Sequence, residues 1–313
     1  MTPTASIFPW QHSLWARLWS RVQADHLPHA LLFSGAEGVG KRCFADALML
    51  SLCCEQVGQK GEACRLCHGC RLFLAGVHPD CLRVEPEASG QAIRVDVIRA
   101  LAEFATQTTL VGRWRLILID PASAMNTHAA NALLKILEEP PAHTVFILIN
   151  SSDGILPATV ISRCQRMLFP LPDEAQARAW LAEQCPHVDG TAALVAGGGA
   201  PLKARDWLNN GLLALQQDFY SDWVRVMRRQ ATVSDVAGKW SAKPLQEKLT
   251  LRMLLDWLFL WVRDLARVQA VEAGTESWMN FYLKLQQTYS HVLAVPQLNR
   301  QLVLEDLMLC WLH

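Results

Sequence analysis

Two kinds of hydrophobic pattern divide this chain. In its first half, short runs that are apolar, but for Arg83, recur at Leu31 to Phe33, Cys81 to Val84, Leu116 to Ile119, Val145 to Ile149 and Met167 to Phe169. Runs without polar alternation predict parallel strands covered on both faces. Stretches with helical spacing lie between them and predict helices over Lys41 to Cys53, Arg94 to Thr106 and Thr127 to Glu139. Strands alternating with helices in this way predict a doubly wound α/β domain.

Near Pro170-Leu171-Pro172 the character changes, and helical periodicity without a convincing strand continues to His313. A second break falls at Gly197-Gly198-Gly199-Ala200-Pro201. It sets off a helical segment of about 40 residues, small for an independent core and expected to lean on its neighbour. The predicted division is therefore 1–169, 170–208 and 209–313, an α/β domain followed by a small helical and a larger all-α region. The chain contains no internal repeat and no low-complexity tract.

Composition narrows the class. The 313 residues, 51% of them hydrophobic, suffice for packed cores in two or three domains. Basic and acidic residues balance at 29 each, so no global positive field is available to hold nucleic acid. Any DNA contact is expected to be local or shared with partners. Met1 to Trp10 lacks the basic and then apolar regions of a signal peptide. Leu249 to Val262, the most lipid-like stretch, is short and carries Arg252 and Asp256, which predicts a buried amphipathic helix and a cytoplasmic chain. The twelve Trp are expected to pack between helices.

Chemistry enters with Gly35-Ala36-Glu37-Gly38-Val39-Gly40-Lys41, which fits the phosphate-binding loop G-x-x-x-x-G-K between a strand and a helix. Gly35, Gly38, Gly40 and Lys41 are the candidate phosphate contacts. The next residue is Arg42, where the pattern wants the Ser or Thr hydroxyl that holds Mg²⁺. Nucleotide binding is thus left open, and chemistry at this loop is expected to suffer. Arg115 to Asp120 is an apolar strand ending in a carboxylate, the place from which P-loop enzymes hold Mg²⁺ a second time. Asp120 fits that role and equally fits a turn or helix N-cap. Residue 121 is Pro, where a catalytic Glu would orient water, so a second element is missing.

Four of the ten cysteines cluster as C-x₉-C-x₂-C-x₂-C at Cys54, Cys64, Cys67 and Cys70, with Gly58, Gly61 and Gly69 as turns. Four thiolates complete the tetrahedral shell of a structural zinc ion, with no open position for substrate. An iron–sulfur signature would continue with a further Cys where Leu74 stands, so Zn²⁺ is favoured. Cys53 adjoins Cys54 and competes with it for the role of first ligand. His78, in His78-Pro79-Asp80, is read as a turn residue before the next strand and not as a ligand.

The helix Asn131 to Glu139 has Leu133 and Leu137 on its apolar face and is stopped by Pro140 and Pro141. Glu138 and Glu139 stand at its negative end, an unfavourable place for acid that hints at a cationic partner outside the chain, against a solvated helix end as the default. After the fourth strand, Asn150-Ser151-Ser152-Asp153 leads on to Thr159-Val160-Ile161-Ser162-Arg163-Cys164.

The Asn131–Pro141 helix, the Ser162-Arg163-Cys164 triplet, the cysteine module after the P-loop helix and the Phe8-Pro9-Trp10 start together resemble the clamp-loader branch of the AAA+ proteins. The likeness spans nearly the whole chain, with its motifs concentrated between residues 8 and 170. It implies an AAA+ domain with an inserted zinc module, a small lid domain and a helical collar that joins a ring of five subunits. Such rings open a sliding clamp and place it on primed DNA for an ATP-dependent replicative polymerase, a nucleotidyltransferase holoenzyme. Arg163 would then be an arginine finger in a neighbouring subunit's ATP site, a use suited to a planar, permanently charged fork. In catalytic relatives a Gly-Ser-x-Arg segment of the lid reaches nucleotide, and the matching Gly199 to Leu202 has Leu where that Arg belongs.

Departures at Arg42, Pro121 and Leu202 together predict a chain without ATPase activity of its own. The competing readings are an autonomous ATPase that holds Mg²⁺ through water or Asp120, and a nucleic-acid-binding zinc ribbon. Lys60, Arg65 and Arg71 are few for the latter and no aromatic platform accompanies them.

Overall fold

The computed structural model describes residues 5–88, 91–151, 154–186, 188–243, 245, 249–269, 275–295 and 298–312. Ser152 and Asp153 of the segment after the fourth strand lie outside the described residues. Two compact units result, Met1–Arg205 and Asp206–His313. The short helical segment after Pro170 is thereby grouped with the sheet as far as Arg205.

Five parallel strands make one sheet in the order β2-β3-β4-β1-β5, where β1 is Ala30–Gly35, β2 Cys81–Val84, β3 Arg115–Ile119, β4 Thr144–Ser151 and β5 Gln165–Phe169. Every apolar run predicted as a strand is one. The physical reason shows in β1, whose Leu31 and Phe33 enter one hydrophobic cluster while Ala30 and Leu32 enter another on the opposite face. With both faces covered, each position is apolar and the alternation of a half-exposed strand disappears.

One face is covered by α1 (His12–Gln23) and α2 (Lys41–Leu52), which contribute Trp15, Leu18, Phe44 and Leu48. The other is covered by α4 (Val95–Thr106) and α5 (Thr127–Glu138), through Ile98, Leu101, Leu133 and Leu137. A short α3 (His68–Leu74) follows the cysteine module. The side chain of Asn126 caps α5 by accepting from the Ala129 N–H at 2.8 Å. Asp120 is therefore not the N-cap: the cap is taken by the residue immediately before the first helical position.

After β4 come α6 (Ala158–Ile161), the edge strand β5, then α7 (Glu174–Gln184), α8 (Thr191–Ala196) and α9 (Pro201–Asn209). The glycine-rich break separates α8 from α9.

The C-terminal unit is helical, with α10 (Leu212–Met227), α11 (Val233–Trp240), α12 (Leu251–Gln269), α13 (Thr275–Ala294) and α14 (Arg300–Leu312). Trp223, Trp240 and Trp257 are buried in its core beside Phe219 and Phe281. The rings of Phe219 and Trp240 meet edge to face at 4.9 Å, and Phe281 meets Trp311 at 4.4 Å. Among the described residues no helix is long and apolar enough to cross a membrane.

Candidate functional site

The P-loop lies where the sequence places it, between the carboxyl end of β1 and the first turn of α2. Lys41 is turned inward: its Nζ donates to the carbonyls of Gly35 at 2.6 Å and Ala36 at 2.7 Å. Arg42 reaches across the sheet and donates from Nη1 to Asp120 Oδ2 at 2.7 Å and from Nη2 to Glu85 Oε1. These carboxylates come together because β2 and β3 are neighbours with Val84 paired to Ile119, and Glu85 and Asp120 are the residues that follow. Burial alone would lower the Arg42 pKa, but its bonds to Asp120 and Glu85 outweigh that and raise it. Burial pushes the Asp120 carboxyl up; Arg42 opposes this without prevailing, and the nearby Glu85 charge adds to it.

The loop is also covered by its own chain. The N–H of Leu202, in the first turn of α9, donates to the Gly38 carbonyl at 3.0 Å. Gly38 has φ +81°, and a Cβ there would stand 2.6 Å from Lys203 Cβ, so only glycine fits this approach. From the other side, Trp10 Nε1 and Gln11 Nε2 both donate to the Val39 carbonyl, at 3.0 and 2.9 Å. Phe8 stacks on Trp10 at 5.0 Å, and both rings meet Trp180 of α7 edge-on at 5.5 Å. Leu202, which stands where the sequence comparison expects an arginine, thus touches the P-loop through its backbone N–H.

Sulfur atoms of Cys54, Cys64, Cys67 and Cys70 lie within 4.8 Å of one another. Backbone N–H groups point at them: Cys64 N–H to Cys54 Sγ at 3.2 Å, Cys67 N–H to Cys64 Sγ and Cys70 N–H to Cys67 Sγ, both at 3.4 Å. Such donors stabilise thiolates, and those of Cys67 and Leu66 draw the Cys64 thiol down to about 6. Convergent sulfurs with N–H donors fit a closed tetrahedral metal shell. Cys53 groups instead with His78 and Cys81, and Cys54 is the one of the two whose sulfur joins the cluster. The module is clasped to α1 by Trp15 Nε1 donating to Lys60 O at 2.8 Å and Trp19 Nε1 to Gln59 O at 3.1 Å.

Arg163 sits in the turn between α6 and β5. Its Nη2 pairs with Glu138 Oε1 at 2.5 Å and its Nη1 donates to the Thr159 carbonyl at 3.0 Å. Glu138, expected to be solvated or to seek a cation beyond the chain, finds one within it. The Arg163 side chain is 34% exposed, so it lies at the surface and not in the core. Because β5 pairs parallel with β1, Leu31 opposite Gln165 and Gly35 opposite Phe169, Arg163 stands at the amino ends of the strands. The P-loop is at the carboxyl ends, roughly 13 Å farther along at the ordinary strand rise. Arg163 and the P-loop of its own chain therefore belong to opposite ends of the sheet.

Residues 10–173 match the family model described as "DNA polymerase III, delta subunit". Over 98% of this chain and 98% of the relative, the sequence is 34% identical to DNA polymerase III subunit delta' of Pseudomonas aeruginosa. The chain belongs to the DNA polymerase III delta-prime family. Two further delta-prime relatives are that of Escherichia coli, 34% identical over 62% of this chain and 58% of the relative, and that of Bacillus subtilis, 30% identical over 90% and 83%.

Several site residues of this delta-prime family member escape sequence reasoning. Glu85 is the clearest, and a signal for it exists: like Asp120, it is the carboxylate that directly follows a predicted parallel strand, so both belong at the carboxyl end of the sheet. Gln11 and Asp80 are fully buried polar residues that bridge distant loops, and local pattern carries no sign of either.

Proposed function

We propose that this chain is a non-hydrolysing clamp-loader subunit that completes a neighbour's ATP site. One observation carries the reading: Arg42, the residue where a Mg²⁺-binding hydroxyl belongs, holds both carboxylates at the P-loop. A metal ion and a guanidinium cannot share Asp120 and Glu85 at these distances. With Lys41 bonded to loop carbonyls and the water-orienting position taken by Pro121, the loop has a structural role. General-base groups alone typically contribute about 10²–10⁴-fold, so this chain has no route to useful hydrolysis.

In this reading Arg163 is the arginine finger, directed away from its own P-loop by the parallel order of β1 and β5. Its pairing with Glu138 keeps the guanidinium at the surface. A partly exposed ion pair is worth about 0–1 kcal/mol, so Arg163 exchanges Glu138 for a triphosphate at little cost. The subunit takes its place in a ring of five, with residues 170–208 as lid and 209–313 as collar, and the ring opens a sliding clamp and sets it on primed DNA in the cytoplasm. Zn²⁺ held by Cys54, Cys64, Cys67 and Cys70 stabilises the inserted module and takes no part in chemistry. ATP and ADP are not retained.

Purified chain given ATP and Mg²⁺ is expected to show no turnover, to show no calorimetric nucleotide binding, and to co-purify with the other clamp-loader subunits. Magnesium-dependent hydrolysis that Lys41→Ala abolishes would instead establish an autonomous ATPase. For the metal, elemental analysis is expected to find one zinc per chain, lost in Cys54→Ser and kept in Cys53→Ser. The opposite pattern would return Cys53 to the ligand set.

A further inference from the structure

Beside the four-sulfur cluster lies a second group that neither nucleotide chemistry nor the zinc module employs. Cys53, the residue after α2, and Cys81, the first of β2, bring their sulfurs to 3.4 Å. A ring nitrogen of His78 lies within 4.8 Å of both. His78 is 5% exposed, and its Nε2 has no hydrogen-bond partner among the described residues. Cys53 is 6% exposed while Cys81 is half-buried and reaches solvent.

Two thiols and an imidazole are candidate metal ligands, but the tautomer of His78 decides otherwise. Its Nδ1 accepts the Asp80 backbone N–H at 3.1 Å, so the lone pair is on Nδ1 and the proton of the neutral ring is on Nε2. A metal bound at Nε2 would force the proton onto Nδ1, against the Asp80 N–H. The group facing the two sulfurs is therefore a donor. An N–H aimed at paired sulfurs can orient them by hydrogen bonding and offers no lone pair to a metal.

We propose that Cys53 and Cys81 form a redox-active dithiol that closes to a disulfide under peroxide, with His78 as its positioning residue. The half-buried Cys81 sulfur, which reaches solvent, attacks one oxygen of hydrogen peroxide, the O–O bond breaks, and the departing hydroxide takes the Cys81 thiol proton to become water. Cys53 sulfur then attacks the Cys81 sulfenic acid, the S–O bond breaks, and the hydroxide leaves as water with the Cys53 thiol proton. Two thiols lose two electrons in all, and one peroxide becomes two waters. Because the pair is 28 residues apart and encloses Cys54, Cys64, Cys67 and Cys70, the new bond closes a covalent ring around the whole module. Oxidation thus holds the module's ends together whether or not metal is present.

The test treats zinc-loaded full-length chain with dilute hydrogen peroxide, blocks remaining thiols and maps cross-links by peptide fragmentation. The expected result is a Cys53–Cys81 link with zinc retained, absent in Cys53→Ser and in Cys81→Ser, and formed more slowly in His78→Asn, whose amide still accepts the Asp80 N–H. After chelation, oxidised wild type should melt at a higher temperature than reduced wild type, and Cys81→Ser should show no such difference. Recovery of both residues as blocked thiols while the four module cysteines oxidise would overturn the proposal. So would a second equivalent of zinc in wild type that Cys81→Ser loses, which would make the trio a metal site.

Discussion

Replacement of Arg163 by Ala is expected to lower the DNA-stimulated ATPase of the assembled clamp loader by about 10³–10⁵-fold at the one site it completes, the range for fingers supplied in trans. A guanidinium stabilises charge that builds on the transferring phosphoryl group, and nothing of comparable charge and shape replaces it. The loss should fall on turnover and leave assembly and the melting profile of the isolated chain unchanged. Glu138 supplies the internal control: Glu138→Gln removes the resting partner and keeps the finger, so activity should be retained. Complex activity unaltered in Arg163→Ala would remove the proposed role, and the stereochemistry at the amino ends of β1 and β5 would need another explanation.

The second large effect concerns stability. Asp80, in the turn before β2, is fully buried and accepts the N–H groups of Leu110 and Val111 at 2.8 Å and of Gly112 at 3.1 Å. It also faces Arg115, 2% exposed, across 3.6 Å. Arg115 in turn donates to the Thr108 carbonyl and lies 4.5 Å over the Phe104 ring. Asp80→Ala would strand a buried guanidinium and three backbone donors at once. Removing one member of a buried pair costs about 3–5 kcal/mol, and chemical denaturation of the N-terminal unit should show a loss of that order. A loss below about 1 kcal/mol, the value of an exposed pair, would mean the site is wetter than its burial indicates.

The same residue sets a pH dependence. Burial alone would raise the Asp80 pKa, but the three N–H donors and Arg115 overcome it and hold the carboxyl below its usual range. A folded-state pKa below the unfolded value of about 3.9 adds stability that is fully present above that pH. It is lost as pH falls through the folded value. In Asp80→Ala this part of the acid slope should vanish.

How legible all this was in the sequence depends on distance along the chain. The three central strands were readable because a strand covered on both faces writes its burial into its own run of residues, as Leu116 to Ile119 does, whereas the edge strands β2 and β5 carry Arg83 and the exposed Gln165 and Arg166 and showed only a short apolar stretch. Cys54, Cys64, Cys67 and Cys70 were readable because their spacing is local, and Arg42 because the loop dictates what should follow Lys41. Where side chains meet across the fold, local pattern is silent. Glu85 joins Arg42 only through the register of β2 with β3, and Arg163 meets Glu138 only because α5 and α6 are brought together. Asp80 was visible as part of a turn, but its bonds to Leu110, Val111 and Gly112 depend on where that distant loop returns. Gln11 gave no sign of lying buried against Val39.

Arg42 carries a last implication. A magnesium ion is a dissociable ligand whose occupancy follows its free concentration and that of the nucleotide accompanying it. A guanidinium tethered one residue beyond the P-loop lysine is always present at its site. The acidic edge formed by Glu85 and Asp120 consequently keeps a counter-cation at all times, and chelators strong enough to strip magnesium leave it in place.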